Sequence, residues 1–174
     1  MAAMSELEKL AERLGAALLS RGEWLAAAES CTGGWLAQSV TAIAGSSAWF
    51  DRGFVTYSND AKTDMLGIDP DLLTRYGAVS PAVAREMARN AQARSRASHA
   101  VSVTGIAGPG GGSREKPVGL VQMGLAGPNG HLQTVELRWN PGWSRDMIRA
   151  VTVNTALEAL ADMLHGRDQA EGWL

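Results

Sequence analysis

Trp24-Leu25-Ala26-Ala27-Ala28-Glu29-Ser30-Cys31-Thr32-Gly33-Gly34 passes from an apolar run into a turn of small residues, and Trp35 to Ala44 then shows helical spacing up to Gly45. The run Trp24 to Ala28 has the length of a buried strand. Alanine is a poor strand former, so propensity alone leaves that reading open. Strand, tight turn and helix in this order begin a parallel α/β arrangement, in which helices cross between neighbouring strands.

The flanking sequence extends the pattern. Upstream, Ser5-Glu6-Leu7-Glu8 fits a capping box, and Leu7, Leu10, Leu14 and Leu18 share one face of a helix ending at Arg21-Gly22. Downstream, Gly53 to Tyr57 reads as a second strand. Asn59 to Leu66 reads as a short helix capped by Asn59 or Ser58, and Pro70 to Tyr76 as another. Ser80-Pro81 starts a helix running to about Ser95. Ala100 to Thr104 is a third strand, followed by a glycine-rich loop from Gly105 to Lys116. Val118 to Leu125 and His131 to Trp139 are strands joined through Gly127-Pro128-Asn129-Gly130, a hairpin signal. A last helix starts near Ser144, with Val153, Leu157, Leu160 and Leu164 on its face. The expected fold is α/β, with helices on both faces of a mixed, mostly parallel sheet of about five strands that includes one C-terminal hairpin. One domain over residues 1–165 and a polar tail over 166–174, apart from Trp173 and Leu174, are expected.

The totals limit the function classes. The chain has 174 residues, 45% hydrophobic and 20% charged, and a formal net charge of -2. That suits a soluble globular protein and disfavours direct nucleic-acid binding, which usually shows a basic excess. A lone cysteine, Cys31, rules out an intramolecular disulfide and a multi-thiolate zinc site. Glu6, Lys9, Glu12 and Arg13 interrupt the N-terminal apolar pattern, so Met1 to Leu18 reads neither as a secretory leader nor as a membrane span, and a cytoplasmic location is expected.

Three segments carry groups capable of chemistry. Ser30 lies between a strand and a helix start, where free N–H groups could stabilise an oxyanion and Gly33-Gly34 would let a substrate approach the backbone. The plainer alternative is that Ser30 or Thr32 merely caps the helix. Nothing in the spacing pairs His99, His131 or His165 with Ser30. Lys62, about one helical turn after Tyr57, could act as a base if burial kept it neutral, with Tyr57 bridging or relaying a proton; a solvated lysine and a strand-end aromatic are the alternative. Thr104 to Ser113 follows a strand and could present N–H groups to a phosphate, with Arg145 and Arg149 supplying a cation, or could be an ordinary surface loop. Cys31 is the rival nucleophile, read first as a small buried residue.

Several long motifs occur in order: Ala28-Glu29-Ser30-Cys31-Thr32-Gly33-Gly34, Ile43 to Asn59, Lys62, Gly77-Ala78-Val79-Ser80, Thr104-Gly105-Ile106-Ala107-Gly108-Pro109, Lys116-Pro117-Val118-Gly119 and Arg145-Asp146. Together they resemble the CinA C-terminal domain family, whose stand-alone members are nicotinamide-nucleotide amidases. The resemblance implies a three-layer α/β/α fold. It implies hydrolysis of nicotinamide mononucleotide to nicotinic acid mononucleotide and ammonia in pyridine nucleotide recycling, without a metal or organic cofactor. Residue by residue, it implies Ser30 as nucleophile, Lys62 as general base and Tyr57 as auxiliary hydroxyl. Thr32, Gly33, Gly34, Thr104 and Gly105 would line the pocket, and Arg145 would bind the substrate's acidic end. A homo-oligomer, in the simplest case a dimer, is expected. The alternative function is a non-catalytic nucleotide-binding module or a competence-associated interaction protein. Ahead of the last helix the family usually carries Gly-Asp-Arg; here Asn140-Pro141-Gly142-Trp143-Ser144-Arg145 is one residue longer and lacks the acidic residue.

Overall fold

The structure, a computed structural model, describes residues 4–166. The expected tail from Arg167 onward, with Trp173 and Leu174, lies outside the described residues. The chain forms α1 (Glu6–Arg21), β1 (Leu25–Glu29), α2 (Trp35–Thr41), β2 (Phe50–Val55), α3 (Asn59–Leu66), α4 (Pro70–Tyr76), α5 (Pro81–Ala93), β3 (His99–Gly105), β4 (Leu120–Ala126), β5 (Leu132–Arg138) and α6 (Arg145–Leu164). The capping box at Ser5 and Glu8 is present, and Ser58, rather than Asn59, caps α3.

The sheet order is β2-β1-β3-β4-β5. β1 pairs parallel with both β2 and β3, and the β3–β4 and β4–β5 pairings are antiparallel. Only β4 therefore runs against the rest. Period-two alternation separates two apolar layers. Leu25, Ala27, Val101 and Val103 face α1, α2 and α6 through Leu14, Leu18, Leu36, Val153 and Leu157. Ala26, Ala28 and Ala100 face the opposite layer, with Val83, Met87, Ala88 and Ala91 of α5. The result is three layers, α/β/α. Among the described residues no helix is long and apolar enough to cross a membrane.

The alanines of β1 make sense in this setting. A central strand buried on both faces needs small residues wherever a helix backbone comes close. On the α5 side the contact is near enough that Ser102 Oγ donates to the Ala84 carbonyl at 2.6 Å and accepts from Gly124 N at 3.1 Å. A Cβ on Gly124 would lie 2.3 Å from the Ala84 oxygen. Gly124→Ala must push α5 off the sheet and is expected to cost about 2 kcal/mol or more, as overpacked cores do, measurable by denaturant unfolding.

Element boundaries differ most from the sequence reading at β2 and α2. β2 begins at Phe50 and ends at Val55, so Tyr57 lies beyond the strand. The charged Asp51-Arg52 pair hides the true start; in the edge strand Asp51, with a side chain only 5% exposed, is paired by Arg96 and Arg52. α2 stops at Thr41 instead of Ala44, and turns closed by Ile43 N to Val40 O and Ser46 N to Ile43 O carry the chain to Trp49, which is 2% exposed in the core.

Candidate active site

The path β1–α2–β2 crosses one face of the sheet, and the return through α5 to β3 crosses the other. The two crossovers diverge at the C-terminal ends of β1 and β3, the crevice where open α/β sheets hold ligands. A cavity of about 240 Å³ lies there, lined by Ser30, Cys31, Tyr57, Arg145 and the loop from Gly105 to Gly111.

Ser30 follows the last residue of β1; its N–H donates to Val103 O at 3.0 Å, and its carbonyl accepts from Gly33 N at 3.0 Å. The turn closes through Gly33 at φ 60 and Gly34 at φ 97, left-handed conformations that glycine adopts without strain. Lys62 comes from α3, across the end of the sheet. Its side chain is buried, the residue being 1% exposed, and Nζ lies 3.1 Å from Ser30 Oγ and donates to Thr56 O at 2.8 Å. No carboxylate pairs with it among the described ion pairs. Burial pushes its pKa below the usual 10.5, favouring the neutral amine. A neutral amine within hydrogen-bonding reach of a hydroxyl can accept that hydroxyl's proton.

Tyr57 does not bridge the pair. It stands 62% exposed at the cavity rim, and its hydroxyl accepts from Arg145 Nη2 at 2.9 Å. Lys62 reaches Ser30 directly, leaving no gap for a relay. Arg145 reaches the cavity despite the longer segment before α6, because Ser144 caps that helix and sets Arg145 on its first turn; Nη1 donates to Gly108 O at 2.9 Å. Arg149 instead donates to Thr32 O at 3.1 Å and sits over the Trp35 ring. Gly105 lines the cavity, whereas Thr32, Gly33, Gly34 and Thr104 do not. Thr32 is fully buried, with its hydroxyl donating to Glu29, and the Thr104 hydroxyl donates to Ala78 O at 2.9 Å. Gly33 and Gly34 shape the turn behind Ser30 rather than the cavity wall.

Most of the N–H groups at this strand–helix turn, expected to be free for an oxyanion, are already used. Gly33 N is taken by Ser30 O, Gly34 N by Glu29 and Trp35 N by Thr32 O. Glu29 also takes Leu36 N and Ala37 N, so the first turn of α2 has no donor left for a ligand. Among the described residues, the N–H groups of Cys31 and Thr32 are the two in this turn that no other residue accepts.

Two groups of the site escaped the sequence reading: the Thr56 carbonyl, which no sequence pattern signals, and the Glu29 side chain. The clue to Glu29 was a carboxylate closing an apolar run directly before a helix start made of glycine, which has no side chain to cap it. None of the three histidines lines the cavity. Cys31 is 6% exposed, and burial pushes its thiol up to about 11. It packs on Ala107 and Ile148. Cys31→Ala should retain most of any activity that depends on Ser30, and Ellman's reagent should modify native protein far more slowly than unfolded protein; rapid modification coupled to inactivation would reverse that ranking.

Residues 7–164 match the CinA C-terminal domain family. The chain is similar to the nicotinamide-nucleotide amidohydrolases PncC of Shigella flexneri and Escherichia coli K12, 50% identical to each over 158 and 156 residues, which is 90% of this chain and 93% of theirs. It is 52% identical over 156 residues to a CinA-like protein of Cyanothece, of whose length the match covers 37%. Among solved structures it resembles the competence/damage inducible protein CihA from Agrobacterium tumefaciens, with a TM-score of 0.89 and 51% identity over 95% of this chain and 99% of that one. The chain belongs to the CinA C-terminal domain family.

Proposed function

We propose that this protein hydrolyses the carboxamide of nicotinamide mononucleotide, yielding nicotinic acid mononucleotide and ammonia, by a Ser/Lys mechanism. The observation that carries the reading is the buried Lys62 amine, 3.1 Å from Ser30 Oγ and, among the described residues, bonded otherwise only to the Thr56 carbonyl. The 50% identity to two PncC amidohydrolases, over nearly their whole length, supports the choice of substrate.

In this mechanism neutral Lys62 takes the proton of Ser30, and Oγ bonds to the amide carbon. The N–H group of Cys31, which lines the cavity beside Ser30, is the donor we assign to the oxyanion. The C–N bond breaks as the lysine ammonium returns its proton to the departing nitrogen, and ammonia leaves. Water then attacks the ester on Ser30, giving its proton to Lys62, and Ser30 departs with that proton as the acid forms. A pyridinium ring on the substrate makes its amide more electrophilic and disfavours a charged lysine beside it. Arg145 and the loop from Gly105 to Gly111 supply the cation and N–H groups suited to the phosphate. Tyr57, through its bond to Arg145, holds that guanidinium at the rim. We expect the enzyme to act in the cytoplasm as a homo-oligomer, a dimer in the simplest case, without nucleic acid.

The test is ammonia release from nicotinamide mononucleotide by the purified protein. Stoichiometric ammonia and nicotinic acid mononucleotide support the reading, and nucleotide binding without ammonia release rejects it.

A further inference from the structure

Glu29 is a fully buried carboxylate that the proton transfers above do not use. Oε2 accepts from Thr32 Oγ1 at 2.6 Å, Gly34 N at 3.1 Å and Leu36 N at 3.0 Å, and Oε1 accepts from Ala37 N at 2.8 Å. All four neighbours are donors, the environment an acceptor-only group requires. The N-cap position of α2 is Gly34, which makes no side-chain cap bond. Glu29 therefore caps this helix from outside it, five residues upstream of the usual position.

The consequence falls on Ser30, the next residue. The turn from Ser30 to Gly34 contains two glycines with positive φ and would be loose without an anchor. Glu29 ties both Thr32 and Gly34 to the end of β1, so the turn is held by its side chain as well as by Gly33 N donating to Ser30 O. The main chain of Glu29 acts on the other partner. Its carbonyl accepts from Thr56 N at 2.8 Å, and the Thr56 carbonyl in turn receives Lys62 Nζ at 2.8 Å. One residue thus connects the positions of the hydroxyl and the amine.

We infer that Glu29 is a positioning residue: its carboxylate, by accepting from Thr32, Gly34, Leu36 and Ala37, fixes the turn that aims Ser30 at Lys62. This inference rests on the proposed serine mechanism but not on the identity of the substrate. Glu29→Gln is nearly isosteric, yet whichever way the amide is turned its NH₂ faces a backbone N–H that needs an acceptor. Thr32→Val removes a single donor, and Thr32→Ser keeps it.

Two readouts separate positioning from mere support of the fold. One is the division of the effect between kcat and KM with nicotinamide mononucleotide. The other is the rate at which a small fluorophosphonate labels Ser30, which needs no amide substrate. A displacement of the nucleophile of about 1 Å costs on the order of 100-fold. Glu29→Gln is therefore expected to lose about that much in both kcat and labelling rate, with KM within about threefold. Thr32→Val should lose about tenfold, the scale of one hydrogen bond to a charged group, and Thr32→Ser should label at the wild-type rate. If Glu29→Gln does not fold, the Thr32 pair decides. Folded variants that label and turn over like wild type overturn the proposal, and so does a wild-type Ser30 that fails to label, since there is then no activated hydroxyl to aim. A wild type that labels but releases no ammonia rejects the substrate reading and leaves the labelling comparison valid.

Discussion

Ser30→Ala is expected to reduce ammonia release from nicotinamide mononucleotide by roughly 10⁴-fold or more, the scale seen when a nucleophile is removed from a concerted site. The nucleotide Kd should change little. The asymmetry follows from where the atoms lie. Oγ lies 3.1 Å from the buried Lys62 Nζ, whereas the groups assigned to the phosphate, Arg145 and the loop from Gly105 to Gly111, are separate lining residues that the substitution leaves in place. Removing one oxygen leaves no vacancy large enough to disturb the turn, because the bonds that hold it run through the Ser30 main chain and the Glu29 side chain. Calorimetric titration of the variant with nucleotide, beside a coupled ammonia assay, measures both halves. Retained turnover would remove Ser30 from the chemistry.

The second large effect concerns Lys62. Lys62→Met keeps an unbranched side chain of similar length at the same buried position but has no proton acceptor, and turnover should fall by roughly 10³-fold or more. Stability should move the other way, with a definite pH dependence. Because burial lowers the folded pKa below 10.5, the unfolded chain binds more protons than the folded one between that lowered value and 10.5. Wild-type stability therefore rises with pH across this window, and the desolvation cost is fully present below it. Lys62→Met lacks that cost, so its advantage over wild type should be greatest at low pH and shrink as pH rises towards 10.5. One offset is the Thr56 carbonyl, which loses its donor. Urea unfolding at several pH values tests the trend. In parallel, wild-type kcat/KM should fall on the acid side as Lys62 takes up its proton, with the inflection below the ordinary lysine value.

The order of elements was legible because their boundaries carry local chemistry. Ser5 with Glu8, Ser80 before Pro81, and Ser144 before Arg145 each cap the helix they announce. β1 was harder, since Ala26 to Ala28 resemble helix; what makes them a strand is a tertiary fact, the close approach of α5 to a face of small side chains. The sheet edge misled in the opposite direction, where Asp51 and Arg52 masked the start of β2. At the site, the strand–turn–helix pattern pointed to Ser30, and the family resemblance pointed to Lys62. Spacing alone could not say that a lysine on α3 would turn inward, because that depends on a carbonyl at Thr56 and on the parallel pairing of β1 with β2. Tyr57 illustrates the limit of proximity in sequence: it is five residues from Lys62, yet its hydroxyl binds Arg145, 88 residues away.

All of this chemistry requires an uncharged amine on Lys62 in the resting protein. The chain contains three lysines, Lys9, Lys62 and Lys116, so a protein labelled with ¹³C at lysine Cε gives few signals, and the one missing from Lys62→Met identifies Lys62. Titrated by NMR, that signal should change below the ordinary value of 10.5. A Lys62 signal that holds the ammonium shift up to 10.5 or beyond would contradict the account.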